Sequence, residues 1–346
     1  MRSVMKVAAV AMAGALALAA CGSSSSGGAG ASASTSKSTV KVGMAYDIGG
    51  RGDKSFNDAA AAGLDKAAKD FGVQTKELSA VAGETDAQKE ARLTLLAQGG
   101  YNPIVAVGFA YANAVKAVVA KFPSTNFAII DDSSFQAPNL ANLIFAANES
   151  SYLVGVLAAK ASKTGTVGFI GGVNVPLLQS FQAGFDAGAK ATNPSIKVID
   201  KYLTQPPDFT GFNAPDKGQT TAQGMYDQGA DIVYAAAGGS GTGVFKAAKA
   251  SSKLAIGVDS DQYLTAGDLA SVVLSSALKR VDTATYDFIK SSVDGTPLTG
   301  VQTFNLKNNG VGYSKSNPLV QPYEAAIDAA AADIISGKIT VPDKLG

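Results

Sequence analysis

Acidic side chains recur just after short apolar runs in this sequence. Asp47 follows residues 40–46, Asp131 and Asp132 follow 127–130, and Asp259 follows 254–258. Other suggestive residues hold equivalent places. Phe56 and Asn57 lie in Asp53-Lys54-Ser55-Phe56-Asn57, Phe109 follows Gly108 after 104–107, and a glycine-rich stretch at 238–243, which includes Gly239, follows 232–237. An ionised carboxylate only accepts hydrogen bonds, so Asp131 and Asp259 together ask for a donor-rich ligand with vicinal hydroxyls, ring N–H or amino groups. The faces of Phe56, Phe109 and Phe212 suit a flat ring, by stacking and apolar burial. Beyond residue 20 the only arginines are Arg51, Arg92 and Arg280, few to offset the acids against a phosphate. A flat base joined to a hydroxylated sugar meets both demands.

Each residue also has a plainer reading. Asp and Asn after a strand commonly cap the next helix, glycines there form turns, and the phenylalanines could be core. What counts is their joint placement. The stretch 238–243 lacks G-x-G-x-x-G spacing and the Lys-Ser/Thr of a phosphate loop. Close backbone approach to a neutral ligand is the other use of glycine there.

The absent residue types narrow the function further. The 346 residues include no His, no Trp and one Cys, which excludes Ser-His-Asp and Cys-His catalysis, His-containing metal sites, CxxC knuckles and an internal disulfide. No catalytic residue, metal ligand or cofactor is assigned. With 29 Lys+Arg against 28 Asp+Glu, there is no electrostatic footprint for nucleic acid.

The elements that must position these residues are alternating strands and helices. Continuous apolar strands at 40–46, 73–78, 104–107, 127–130 and 143–146, with helices at 58–71, 84–98 and 112–122, predict a parallel sheet covered on both faces. The pattern restarts after a helix at 151–161, with strands at 166–170, 196–202, 232–235 and 254–258. The fold class is therefore α/β: two doubly wound lobes joined by a multi-strand hinge, with lobe 1 at 40–147 and 258–293 and lobe 2 at 148–257 and 294–346. A final strand pair is expected at 302–306 and 311–313. In such sheets ligands bind beyond the C-terminal ends of the strands, where the residues above lie. Ahead of the lobes, Arg2, Lys6 and an apolar run at 7–20 read as a signal peptide over 1–20, too short to span a bilayer. Leu18-Ala19-Ala20-Cys21 is similar to a lipobox, which implies acylation of Cys21. The Ser/Gly/Ala/Thr-rich segment 21–39 reads as a flexible tether.

Taken together, the lipobox, the tether, Asp47-x-Gly-Gly, Asp53-Lys54-Ser55-Phe56-Asn57, Asp131-Asp132, the glycine turn at 238–245, Gly257-Val258-Asp259-Ser260-Asp261-Gln262 and Lys279-Arg280-Val281-Asp282 resemble the basic membrane protein family. These are purine-nucleoside-binding lipoproteins of the PnrA type, which serve ABC importers. The resemblance runs from about residue 40 to about 335. It implies the type I periplasmic-binding-protein fold, with three crossovers between the lobes. It also implies that Asn57 and Asp131 read the base edge, Phe56 and Phe212 wall the base slot, and Asp259 accepts from ribose hydroxyls. Lys279 and the backbone at Gly239 would add ribose contacts, and Asp47 and Phe109 would be further cleft residues. Residues 206–215 depart most from the family pattern. The implied partners are a purine nucleoside and an ABC permease with its ATPase. The implied state is a monomer on the extracytoplasmic face of a bacterial membrane, held by its lipid alone. Three other readings stay open at this point: the same fold holding a sugar or signalling ligand, an enzyme hydrolysing nucleosides with Asp131 and Asp259, and a ligand-sensing surface protein without a permease.

Overall fold

In a computed structural model, the structure describes residues 39–346. The leader at 1–20, Cys21 and the tether (but for Thr39) lie outside the described residues. Along the chain come β1 (Lys41–Tyr46), α1 (Phe56–Phe71), β2 (Gln74–Ser79), α2 (Asp86–Gln98), β3 (Ile104–Ala106), α3 (Ala112–Val119), β4 (Phe127–Ile130) and β5 (Leu140–Phe145). There follow α4 (Ala147–Ala161), β6 (Thr166–Val173), α5 (Pro176–Thr192), β7 (Lys197–Thr204), α6 (Pro215–Asp227), β8 (Ile232–Ala236), α7 (Gly241–Ala250), β9 (Leu254–Asp259), α8 (Gln262–Thr265) and β10 (Val273–Lys279). The chain ends with α9 (Val281–Val293), β11 (Gly300–Phe304), β12 (Val311–Tyr313) and α10 (Glu324–Ile335).

Two six-stranded sheets result, ordered β11-β5-β4-β3-β1-β2 and β12-β10-β9-β8-β6-β7. The first is parallel throughout; the second is parallel except for the antiparallel edge strand β12. Strands β3, β4 and β8 are buried along their whole length because helices cover both faces, which is why they read as unbroken apolar runs. Val42 and Met44 of β1 face α1 and α9, while Ala45 faces α2 and α3. In the second sheet α4, α5 and α10 cover one face, α6 and α7 the other.

The chain passes from one sheet to the other three times: after β5, between β10 and α9, and between β11 and β12. Sheet membership differs from the expected division in two places. Residues 258–279 stay with the second sheet, since β10 pairs parallel with β9. Strand β11, expected in lobe 2, pairs parallel with β5 in the first sheet. The anticipated final strand pair is therefore split, β12 lying against β10 instead. Both are short edge strands, and their burial alternates or is partial, so neither sequence reveals its partner. Parallel pairing aims the C-terminal ends of both sheets at the cleft between them.

Candidate functional site

The segment after β1 builds the first wall. The Asp53 carboxylate accepts from the backbone N–H of Ser55, Asn57 and Asp58 at 2.9, 2.9 and 3.0 Å, covering the orphan donors of the first turn of α1. That fixes Phe56 and Asn57 at the start of the helix. The Asn57 Nδ2 donates to Asp47 Oδ1 at 2.8 Å and to Asp53 Oδ2 at 3.0 Å, whereas its Oδ1 is buried with no hydrogen-bond partner. An open acceptor therefore remains on Asn57. Gly108 adopts φ +104, and a Cβ there would stand 2.8 Å from Asp47 Oδ2, so glycine is what lets that carboxylate fit.

The second sheet supplies the opposite wall. Asp259, at the end of β9, is 7% exposed and accepts from Ser55 Oγ at 2.7 Å. Lys279, at the end of β10, forms an ion pair with Asp131 at the end of β4. Its ammonium also lies over the Phe56 ring, 4.6 Å from the centroid. Asp131 and Asp259 have φ of +68 and +64, a left-handed conformation that costs non-glycine residues of order 1 kcal/mol or more. Such strain at two strand ends is held by the surrounding bonds. For Asp259 these include Gln262, whose Oε1 accepts from Val258 N at 2.9 Å while its Nε2 donates to Lys54 O at 2.9 Å.

Phe212 comes from a short 3-10 turn, Thr210–Phe212. Ser240 Oγ donates to Gly211 O at 2.7 Å and accepts from Ala214 N at 2.7 Å, pinning that turn. A Cβ at Gly211 would come within 1.9 Å of Gly172 O, so the turn seats directly on the end of β6. Within 238–243 one glycine serves close packing: a Cβ at Gly243 would lie 1.8 Å from Pro215 O. Gly243 thus lets α7 lie close against the start of α6.

These side chains meet in one cavity between the sheets, whose free space is ≈ 520 Å³ when the open solvent at its mouth is counted, while the room it leaves for the centres of water-sized molecules is ≈ 50 Å³. Asp47, Phe56, Asn57, Phe109, Asp131, Phe212, Asp259 and Lys279 all line it. Gly239 does not: Gly238 takes the lining position, and Gly239 sits beside Asn213 and Phe212. Asp53, Leu177, Leu178 and Phe181 line the cavity without having been singled out as site residues. Asp53 stood in a quoted motif and could have been found there. The α5 residues carried no signal, because Leu178 and Phe181 also belong to the core beneath.

Burial dominates the electrostatics. It pushes the Asp259 carboxyl up to about 6, against the opposing pull of Lys279 and the Ser55 hydroxyl. It raises Asp47 well above the usual carboxylate range, with Asp53, Asp131 and Asp259 adding repulsion and the Asn57 amide opposing. Asp53 is raised by burial too. Four carboxylates thus surround one cation, Lys279, which Asp131 already neutralises. Such a cavity accepts hydrogen-bond donors and repels anions. Among the described residues no cluster of His, Cys, Asp and Glu could hold a metal ion.

The chain matches the family of ABC transporter substrate-binding proteins described as PnrA-like, over residues 39–344. It belongs to that family. The match takes in both sheets and every cavity residue named above. A relative named ABC transporter nucleoside-binding protein BmpA, from Lactococcus lactis subsp. cremoris, is 37% identical over 329 residues, covering 89% of this chain and 90% of its own. A protein of Pyrococcus horikoshii named an uncharacterized lipoprotein is 35% identical, covering 84% of this chain and 73% of its own. The crystal structure of an ABC transporter solute-binding protein from Aeropyrum pernix superposes with a TM-score of 0.77 at 28% identity, covering 88% of this chain and 94% of that one. The type I binding-protein architecture expected of this family member is the one observed. No helix among the described residues is long and apolar enough to cross a membrane.

Proposed function

We propose that this PnrA-like protein captures purine nucleosides in the inter-lobe cavity and delivers them to an ABC permease and its ATPase. The observation that carries this reading is the pairing of aromatic walls with unspent acceptors in one cleft between the lobes. Phe56 and Phe212 stand ready for the faces of a base, with Phe109 at the cavity's edge. Asn57 Oδ1 and Asp131 would take its N–H groups, and Asp259 the ribose hydroxyls, with Lys279 donating beside them. The relative named a nucleoside-binding protein supports the same ligand class.

Capture works by closure. Asp47, Phe56, Asn57, Phe109 and Asp131 ride with the first sheet, Phe212, Asp259 and Lys279 with the second. A ligand touching both sets binds the closed state better than the open one and shifts the population toward it. The permease then reads closure. No chemical step follows: the cavity's carboxylates bind and orient, and the bound nucleoside leaves intact. Cys21 is the proposed point of lipid attachment, and the protein works as a monomer on the outer face of the membrane.

Titration calorimetry with inosine, guanosine, adenosine, AMP and glucose tests the reading. Binding at about micromolar Kd or tighter is expected for at least one purine nucleoside, with AMP and glucose far weaker. Binding of none of the nucleosides, or release of free hypoxanthine during overnight incubation with inosine, would overturn it.

A further inference from the structure

The ligand cavity has an outer neighbour. The two spaces share Asp47, Ile48, Phe109 and Phe212 as a common boundary. Across that boundary runs a seam of rings contributed by both lobes. Phe109, from the first lobe, meets Phe209 edge-on, with centroids 5.8 Å apart and planes at 73°. It meets Phe212 in the same manner at 6.4 Å and 73°. Phe212 and Phe109 line both spaces, whereas Phe209 lines the outer one alone. The Phe109 ring is therefore wedged between one ring that belongs to the ligand cavity and one that never touches it.

The backbone that carries Phe209 is held in place. Thr204 Oγ1 donates to Asp208 O at 2.6 Å, and Asp208 Oδ1 accepts from Thr210 N at 2.9 Å. Phe212 N donates to Phe209 O at 3.2 Å, and Gly211 seats the turn on β6 as described above. The outer space is lined by Asp47, Glu84, Asp86, Asp208 and Lys89, and most of these charges are paired: Glu84 with Arg92, Asp86 with Lys89 and Asp208 with Lys217. An uncharged group enters it without breaking those pairs.

We propose that Phe209 is a specificity-determining residue: by clamping Phe109 against Phe212 it shuts the ligand cavity off from the outer space, and so sets the largest substituent a bound ligand can carry. Phe209 acts through Phe109 and is a positioning residue. The proposal rests on the nucleoside reading. Without the Phe209 ring, Phe109 swings outward, the two spaces join, and an uncharged extension fits where it was refused.

The test uses Phe209→Ala and calorimetry with adenosine and three derivatives, each bearing a neutral benzyl-sized group, on the exocyclic amine, at ring carbon 8 or at the 5′ end. Wild type is expected to bind adenosine and reject all three. The variant should hold adenosine within about threefold, the scale of one edge-to-face ring contact. It should gain at least about tenfold on one or more derivatives, the discrimination that a steric wall supplies. Replacing the winning benzyl group with a phosphate should abolish the gain. Phe209→Leu, which keeps the apolar fill without the ring edge, should gain in the same direction by less, and it serves if the alanine variant fails to fold. Two results would overturn the proposal: wild type accepting the derivatives as readily as adenosine, or both folded variants holding adenosine and gaining nothing. Wild type binding no parent nucleoside would fail the nucleoside reading itself, and the seam with it.

Discussion

Replacing Asp259 with Asn keeps the shape of the side chain and one acceptor oxygen but removes the charge. A hydrogen bond to an ionised acceptor contributes about 1.5–3 kcal/mol, so Asp259→Asn should weaken nucleoside binding by roughly 10- to 150-fold at neutral pH. The pH dependence is the sharper check. In the free protein the Asp259 carboxyl titrates at about 6. Ligand hydroxyls donate to the ionised form, so binding favours that form and releases protons near this pH. Affinity must then rise with pH through 6 and fall below it. Between pH 7 and pH 5 the ionised fraction drops from about nine-tenths to about one-tenth, so the advantage of wild type over Asp259→Asn should shrink about tenfold. Asp47, also raised and in part by the Asp259 charge itself, titrates lower in the variant, so its contribution is reduced by the ratio and not removed. Folding of the ligand-free protein has the opposite sign. An unfolded aspartate ionises near about 3.9, so the raised native value subtracts stability as pH climbs from about 4 to 6. Calorimetry at pH 5, 6 and 7, in two buffers of different ionisation enthalpy, reads both the affinity and the protons released. A ratio unchanged across that range would refute the assignment of Asp259 as a charged acceptor for the ligand.

Two further outcomes follow from the packing. Lys279→Met leaves Asp131 buried beside apolar surface, and breaking a buried pair costs about 3–5 kcal/mol; the double variant Lys279→Met/Asp131→Asn should regain most of that stability in urea denaturation but not the ligand affinity, and equal recovery of both would show that the pair is only structural. Gly211→Ala puts a methyl where Gly172 O stands, so the turn carrying Phe212 must move; a stability loss of at least about 1–3 kcal/mol with weakened nucleoside binding is expected, and a variant with wild-type melting and affinity would contradict the seating of that turn.

Much of the site was legible because parallel strands deliver their C-terminal ends to one place. Once the apolar runs were read as strands, Asp47, Phe109, Asp131 and Asp259 had to converge, and all four line the cavity. Asp53 shows the limit of that reasoning. Its carboxylate both caps α1 and faces the cavity, and a sequence offers the capping and the ligand roles with equal force. Phe181 was hidden for another reason: one edge of its helix faces ligand space, while the residue itself is 4% exposed and indistinguishable by pattern from core. The Asp131–Lys279 pair spans 148 residues, and nothing in its local spacing announces it. Strand β11 was misplaced because five residues of alternating burial carry no record of which sheet edge they will extend.

The threefold passage of the chain between the sheets has a mechanical consequence. Severing any one crossing leaves two covalent links, so a single proteolytic nick cannot let the halves drift apart. For the closure proposed above, such links would act like the pins of a door, permitting swing about one axis and opposing sliding or twisting. On the proposed reading, what a transporter would sense from outside is then close to a one-dimensional message, shut or ajar, and every side chain that votes on it votes along the same line.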